Sequence, residues 1–163
     1  MSKAFTRESD EPGPEEVPAF RPQLPPGVKN YMTRQGAERL KQRLNDLLER
    51  RRALAASEAD WQKVDSGIRR LRQILESVVV AEPPSDQAKV AFGASVTIRH
   101  GNGGEEAYQI VGVEEADPSR GRISWISPLA RALLSRRAGD KVLFRSPAGD
   151  EELTILSARY SQG

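Results

Sequence analysis

Two carboxylates, one histidine and one strand-to-helix turn are the residues whose types could do chemistry in this 163-residue sequence. Glu58 and Asp60 stand two apart, with Asp65 further along. Carboxylate oxygens on a narrow rigid tip could hold Mg²⁺ and leave its other positions to water or phosphate. The plainer reading is that acidic residues near the start of a helix simply favour its dipole. His100 falls in His100-Gly101-Asn102-Gly103-Gly104-Glu105 with no aspartate or serine at a suggestive spacing, so it reads as a solvated loop residue rather than a catalyst. The same run lacks the lysine and hydroxyl residue of a phosphate loop and reads as a turn. The chain has no cysteine, which excludes disulfides, thiolate zinc sites and cysteine nucleophiles.

Trp125-Ile126-Ser127-Pro128-Leu129 suits contact rather than catalysis. Trp125 and Ile126 point to opposite faces of a strand, so one of them can face outward. An exposed aromatic beside a rigid proline turn fits a protein-contact hot spot. Ordinary core packing is the competing reading for Trp125.

The elements that must carry these residues follow from periodicity. Residues 1–30 hold six of the eleven prolines and few apolar groups, and read as a disordered tail. Thr33 is the expected N-cap of a first helix. Ala37, Leu40, Leu44, Leu47, Arg51 and Leu54 recur at spacings of three and four, as do Trp61, Val64, Ile68, Leu71, Leu75 and Val78. Two such stripes separated near Ser57–Asp60 predict an antiparallel helical hairpin over residues 31–81, each arm about 30–36 Å long. Arg51 interrupts the first stripe, its stem covering the seam and its head reaching water. A continuous helix that pairs with a second molecule is the alternative.

Glu82-Pro83-Pro84-Ser85 ends the helix, and residues 82–90 read as a linker. Beyond it the period changes to two. Ser95–Arg99 and Ala107–Val113 predict a strand pair, followed by a strand at Arg122–Ile126 and a short helix at Leu129–Ser135 with proline in its first turn. Lys141–Arg145 and Glu152–Ser157 predict a last hairpin. The expected fold class is α+β, with about five strands and one helix over residues 91–160.

Apolar residues are 37% and charged residues 29%, which suits an elongated, solvated shape better than one compact core. Residues 31–80 carry eleven basic and seven acidic groups, so the hairpin is the basic part. Nucleic-acid contact would fall there, at Arg50, Arg51, Arg52, Arg69 and Arg70. A solvated helix surface is the blander account of the same charges. Met1–Phe20 holds no apolar run of the length a secretory leader needs, and no stretch approaches a membrane span, so a cytoplasmic protein is expected.

These residues together resemble the Gre transcription elongation factors. Ser2-Lys3-Ala4-Phe5-Thr6-Arg7-Glu8 is similar to the start of some longer GreB-like proteins. Tyr31-Met32-Thr33-Arg34-Gln35-Gly36 with Leu40 resembles the start of the family's first helix, Arg70-Leu71-Arg72-Gln73-Ile74 its second, and Phe92-Gly93-Ala94 the start of its C-terminal domain. The most specific match runs from Ile123 through Leu134 and on through Gly139-Asp140 and Pro147-Ala148-Gly149. The resemblance implies an FKBP-like C-terminal domain that grips RNA polymerase through Ile126, Ser127, Pro128 and Leu129, and a hairpin placed in the secondary channel. It also implies that Glu58 and Asp60 at the tip assist a Mg²⁺ shared with the polymerase's active centre, where backtracked RNA is cut. The polymerase would be the enzyme, and the factor would carry no cofactor of its own. Nascent RNA or DNA in the elongation complex would be a further partner, and the factor itself a monomer.

Two departures from the family pattern bear on that role. The arms are shorter than those of the long members by roughly ten residues, or about 15 Å of reach, whereas metal-ligand geometry tolerates only about 0.5 Å. Ile126 stands where GreB-type members carry an aspartate, which resembles the short-hairpin regulators of nucleoside diphosphate kinase. Those would occupy the channel without cutting. A prolyl isomerase or chaperone on the same C-terminal fold remains an alternative of another class.

Overall fold

The computed structural model describes residues 23–54 and 58–161. The expected tail lies outside the described residues as far as position 22, and by Asn30 the chain is already in a strand. In order the elements are β1 (Asn30–Met32), α1 (Arg34–Ala53), α2 (Glu58–Ser77), β2 (Val78–Val80), β3 (Ala94–Arg99), β4 (Glu105–Val111), β5 (Arg122–Ser124), α3 (Pro128–Leu133), β6 (Lys141–Ser146) and β7 (Gly149–Tyr160). Short 3-10 turns lie at Val113–Glu115 and Pro118–Arg120 between β4 and β5. The α+β class is as expected.

The first arm begins where its capping chemistry says. Thr33 is extended, and its hydroxyl accepts a bond from the Gly36 N–H at 3.0 Å, satisfying one of the free donors of the first turn. Arg50, Arg51 and Arg52 occupy its last turn, where cations oppose the negative end of the helix dipole. Contacts between the arms show their direction. Arg51 pairs with Asp65, Leu47 lies against Gly67, and Asn30 bonds Ser77. As positions fall along one arm they rise along the other, so the hairpin is antiparallel and closed within one chain. Val64, Ile68 and Leu71 are buried in the seam. Trp61, expected in the same stripe, is 41% exposed and lies outside it. With 20 residues per arm, the hairpin reaches about 30 Å.

Val78 was expected to close the second helical stripe, but it opens β2, which pairs in parallel with β1. Three successive β-branched residues lose side-chain freedom in a helix and fit an extended pleat, which explains the change. This small sheet ties the two ends of the hairpin together at its base.

The larger sheet has strand order β5-β4-β3-β7-β6. All its neighbours are antiparallel except β4 and β5. Ala94, Val96 and Ile98 alternate inward along β3 and meet Ile110, Leu153 and Ile155, while α3 closes the core with Ala130 and Leu133. β7 is longer than the expected Glu152–Ser157, because its second half pairs with β3 as well as its first half with β6. The segment 82–90 is pinned at its far end: Val90 is buried in this core, its N–H bonding the Arg136 carbonyl at 2.7 Å.

Candidate functional site

The turn after β5 is built from short-range bonds. The Ser127 N–H donates to the Ser124 carbonyl at 2.9 Å, which ends the strand two residues before the expected Ile126. The Ser127 hydroxyl accepts from the Ala130 N–H at 3.2 Å and caps α3, with Pro128 at the first helical position. The helix stops at Leu133, since Ser135 adopts a left-handed backbone, φ 70°. Pro128 is exposed, Ile126 and Ser127 are half-buried, and Leu129 packs partly against the core. The turn is therefore a rigid, solvent-facing corner with an apolar flank.

Trp125, just before this corner, is used in packing. Its ring meets Tyr31 edge-on at 5.4 Å, and Tyr31 also lies 5.9 Å from Phe92. Tyr31 is in β1, one step from the helical hairpin, so the aromatic group joins the hairpin's base to the corner. The indole Nε1 of Trp125 is buried and has no hydrogen-bond partner among the described residues. Tyr108, Trp125, Phe144 and Tyr160 are partly buried against the core, and Tyr160 also lines a cleft with Phe92, Pro83 and Thr33.

A second joint has no local signature in the sequence. Glu115, whose side chain is only 4% exposed, accepts from the Thr33 N–H at 2.9 Å, from the Thr33 hydroxyl, and from the Gly112 N–H at 3.0 Å. The residue capping α1 is thus clasped by a carboxylate 82 positions away. Glycine is required on both sides: a Cβ on Gly36 would overlap the Glu115 carboxylate, and one on Gly112 would overlap the Tyr31 carbonyl. Nothing in Gly112-Val113-Glu114-Glu115 announces this role in the sequence, because the partner is defined only by the fold.

At the other end of the hairpin, the tip residues separate. The side chain of Glu58 lies outside the described residues. Asp60 is exposed in the first turn of α2. Asp65 is committed to Arg51, with the Arg51 Nε 2.8 Å from its Oδ1. Among the described residues, which do not include the Glu58 side chain, no group of three acidic or histidine side chains could hold a metal. Arg50, Arg51 and Arg52 share one turn beside the tip, whereas Arg69 and Arg70, both exposed, lie more than a turn nearer the base.

His100 departs from the solvated-loop expectation. Its Nδ1 lies 2.7 Å from Glu151 and its Nε2 3.0 Å from Glu106, and its side chain is 23% exposed. The hydrogen bond to Glu151, aided by that to Glu106, raises its pKa above the ordinary histidine value despite some desolvation. Glu106 is held below the usual carboxylate range, first by the Tyr108 hydroxyl and then by His100. Burial, with the Glu106 bond, pushes Tyr108 up to about 12. The cluster staples the β3–β4 turn to β7, and its partners come from strands that sequence spacing does not connect.

Fold and site define a two-part protein: a solvent-facing corner on a β-rich module and a helical arm joined to it by Tyr31 and Glu115. Residues 85–160 match the family model for the C-terminal part of the transcription elongation factors GreA/GreB. The GreB of Neisseria meningitidis serogroup A is 36% identical over 155 residues, covering 82% of this chain and 95% of that protein. The GreB of Pseudomonas putida is 37% identical over 155 residues, with 82% and 96% covered, and the GreA of Chloroflexus aurantiacus 38% identical over 151 residues, with 79% and 96% covered. The chain belongs to the GreA/GreB family and is a transcription elongation factor. That membership bears out the expectation of an accessory factor rather than a free-standing enzyme. Of solved structures, the transcription factor Gfh1 aligns at 25% identity with a TM-score of 0.42, covering 81% of this chain and 98% of that one. The 155 residues aligned with the Neisseria GreB exceed 82% of this 163-residue chain, so that relative has residues with no counterpart here. No described helix is long and apolar enough to cross a membrane.

Proposed function

We propose that this factor docks on RNA polymerase through the corner Ile126–Leu129, directs its hairpin into the secondary channel, and modulates elongation by occupying it without lending a metal ligand. The observation that carries this is the clamp of Tyr31 on Trp125, directly before the corner. It sets the direction of the hairpin from the same residues that would touch the polymerase. The non-cleaving version is favoured over transcript cleavage because Asp65 is neutralised by Arg51, and because a hairpin of about 30 Å is short for the task. Where the hairpin meets RNA, Arg50, Arg52, Arg69 and Arg70 are exposed and suited to phosphates. The two apolar stripes are spent on each other, which favours a monomer, and the site of action is the cytoplasm.

The docking claim is tested with Pro128→Asn in a direct polymerase-binding measurement. Affinity should fall while the far-UV circular dichroism is unchanged; equal affinity would sink the assignment. Occupancy is tested on stalled elongation complexes with Mg²⁺. Added factor should change the elongation rate without shortening the transcript. Cleavage that disappears in Glu58→Ala plus Asp60→Ala would overturn the non-cleaving reading.

A further inference from the structure

Trp61 is the one large apolar residue of the helical stripes that the hairpin leaves exposed, at 41%, while Val64, Ile68 and Leu71 behind it are buried. The ring is nevertheless held. Its Nε1 donates to the Leu54 carbonyl at 3.4 Å, and the Arg51 guanidinium stands 5.9 Å from its centroid. Asp65 fixes that guanidinium at 2.8 Å, so this carboxylate serves to hold a cation over the indole. Arg50, Arg52 and Lys63 are exposed on the neighbouring turns. Holding an indole half in water exposes apolar area that the seam could have covered. A flat partner carrying negative charge would use both the ring and the surrounding cations.

Single-stranded nucleic acid has that chemistry, since bases stack on aromatic side chains and the phosphates seek arginine and lysine. We propose that Trp61 is a base-stacking platform at the hairpin tip for the unpaired end of a nucleic acid strand, with Arg50 and Arg52 beside it to take phosphates. The proposal deepens the reading of the hairpin as a channel element and rests on it for the source of the strand. Binding to free oligomers needs no polymerase, so the two readings fail separately. A polymerase protein surface packing on Trp61 is the competing occupant. The cation held over the ring and the arginines flanking it favour the nucleic acid.

The test is fluorescence anisotropy of the full chain with a short labelled single-stranded RNA at low salt, beside an abasic oligomer of the same length. Trp61→Leu should weaken RNA binding roughly tenfold or more, since one stacked base is lost. Trp61→Phe should restore most of the affinity, and the abasic oligomer should bind the wild type and Trp61→Leu alike. Indole emission of the unmodified chain should fall with RNA and not with the abasic oligomer, which keeps the proposal refutable if Trp61→Leu does not fold. Wild-type affinity in Trp61→Leu, or equal binding of abasic and base-bearing oligomers, overturns it. So does a Trp61→Leu chain whose polymerase affinity falls while the unmodified chain binds no RNA, which would assign the ring to the protein surface.

Discussion

Glu115→Ala is the perturbation that most directly tests how the hairpin is held. The substitution deletes the acceptor of the Thr33 and Gly112 N–H groups, now bonded at 2.9 and 3.0 Å by a carboxylate only 4% exposed. Each donor left unpaired costs about 1–3 kcal/mol. Water entering the space once filled by the side chain recovers part of this, and Arg39, half-exposed and 3.8 Å away, adds little. A loss of about 2–4 kcal/mol is expected, in urea unfolding followed by circular dichroism. Glu115→Gln can keep its one carbonyl oxygen on both N–H groups, which share Oε2, and turn its amide toward the Thr33 hydroxyl, so it should fall between the parent and Glu115→Ala. The geometric consequence is separable. The chain has no cysteine, so spin labels placed by Lys41→Cys and Leu143→Cys, both exposed, report the hairpin's distance from the sheet without background. In the parent one narrow distance distribution is expected, and with Glu115→Ala a broad one. A loss below about 1 kcal/mol together with an unchanged distribution would refute the clasp.

Gly112→Ala should destabilise by about 1–3 kcal/mol, because its Cβ would overlap the Tyr31 carbonyl and the backbone must move; an unchanged urea midpoint would contradict the close approach. The His100 cluster predicts a pH dependence. The folded-state pKa of His100 is raised above 6.5, so its contribution is complete below 6.5 and is lost as pH rises through the folded value. Glu106 is lowered from 4.5, so its contribution is present above 4.5 and is lost as pH falls through the folded value. Melting temperature should therefore decline on the alkaline side of the histidine range, and His100→Gln should flatten that decline; a wild-type profile already flat there would refute it.

Much of the architecture is legible in the chain because it is local. The α1 cap needs only Thr33 and the N–H three residues on, and the hairpin needs only two stripes with a break. The Ser127-Pro128 cap of α3 is written in two adjacent residues. Where local signals compete, periodicity alone misplaces an element. Val78-Val79-Val80 continues a helical period and is also three β-branched residues, and pairing with β1 decided for the strand.

The site divides in the same way. Residue type and neighbour order alone determined the family, the exposed corner at Pro128 and the basic character of the hairpin. Only the tertiary structure decided what holds these parts in register. Glu115 meets Thr33, Tyr31 meets Trp125, and His100 meets Glu151 across separations that no periodicity spans. It also decided that Asp65 serves Arg51, and that Trp61 stays outside the seam it was spaced to fill. Periodicity places a side chain on a helix face. Whether that face is covered, and by which charge, depends on the element packed beside it.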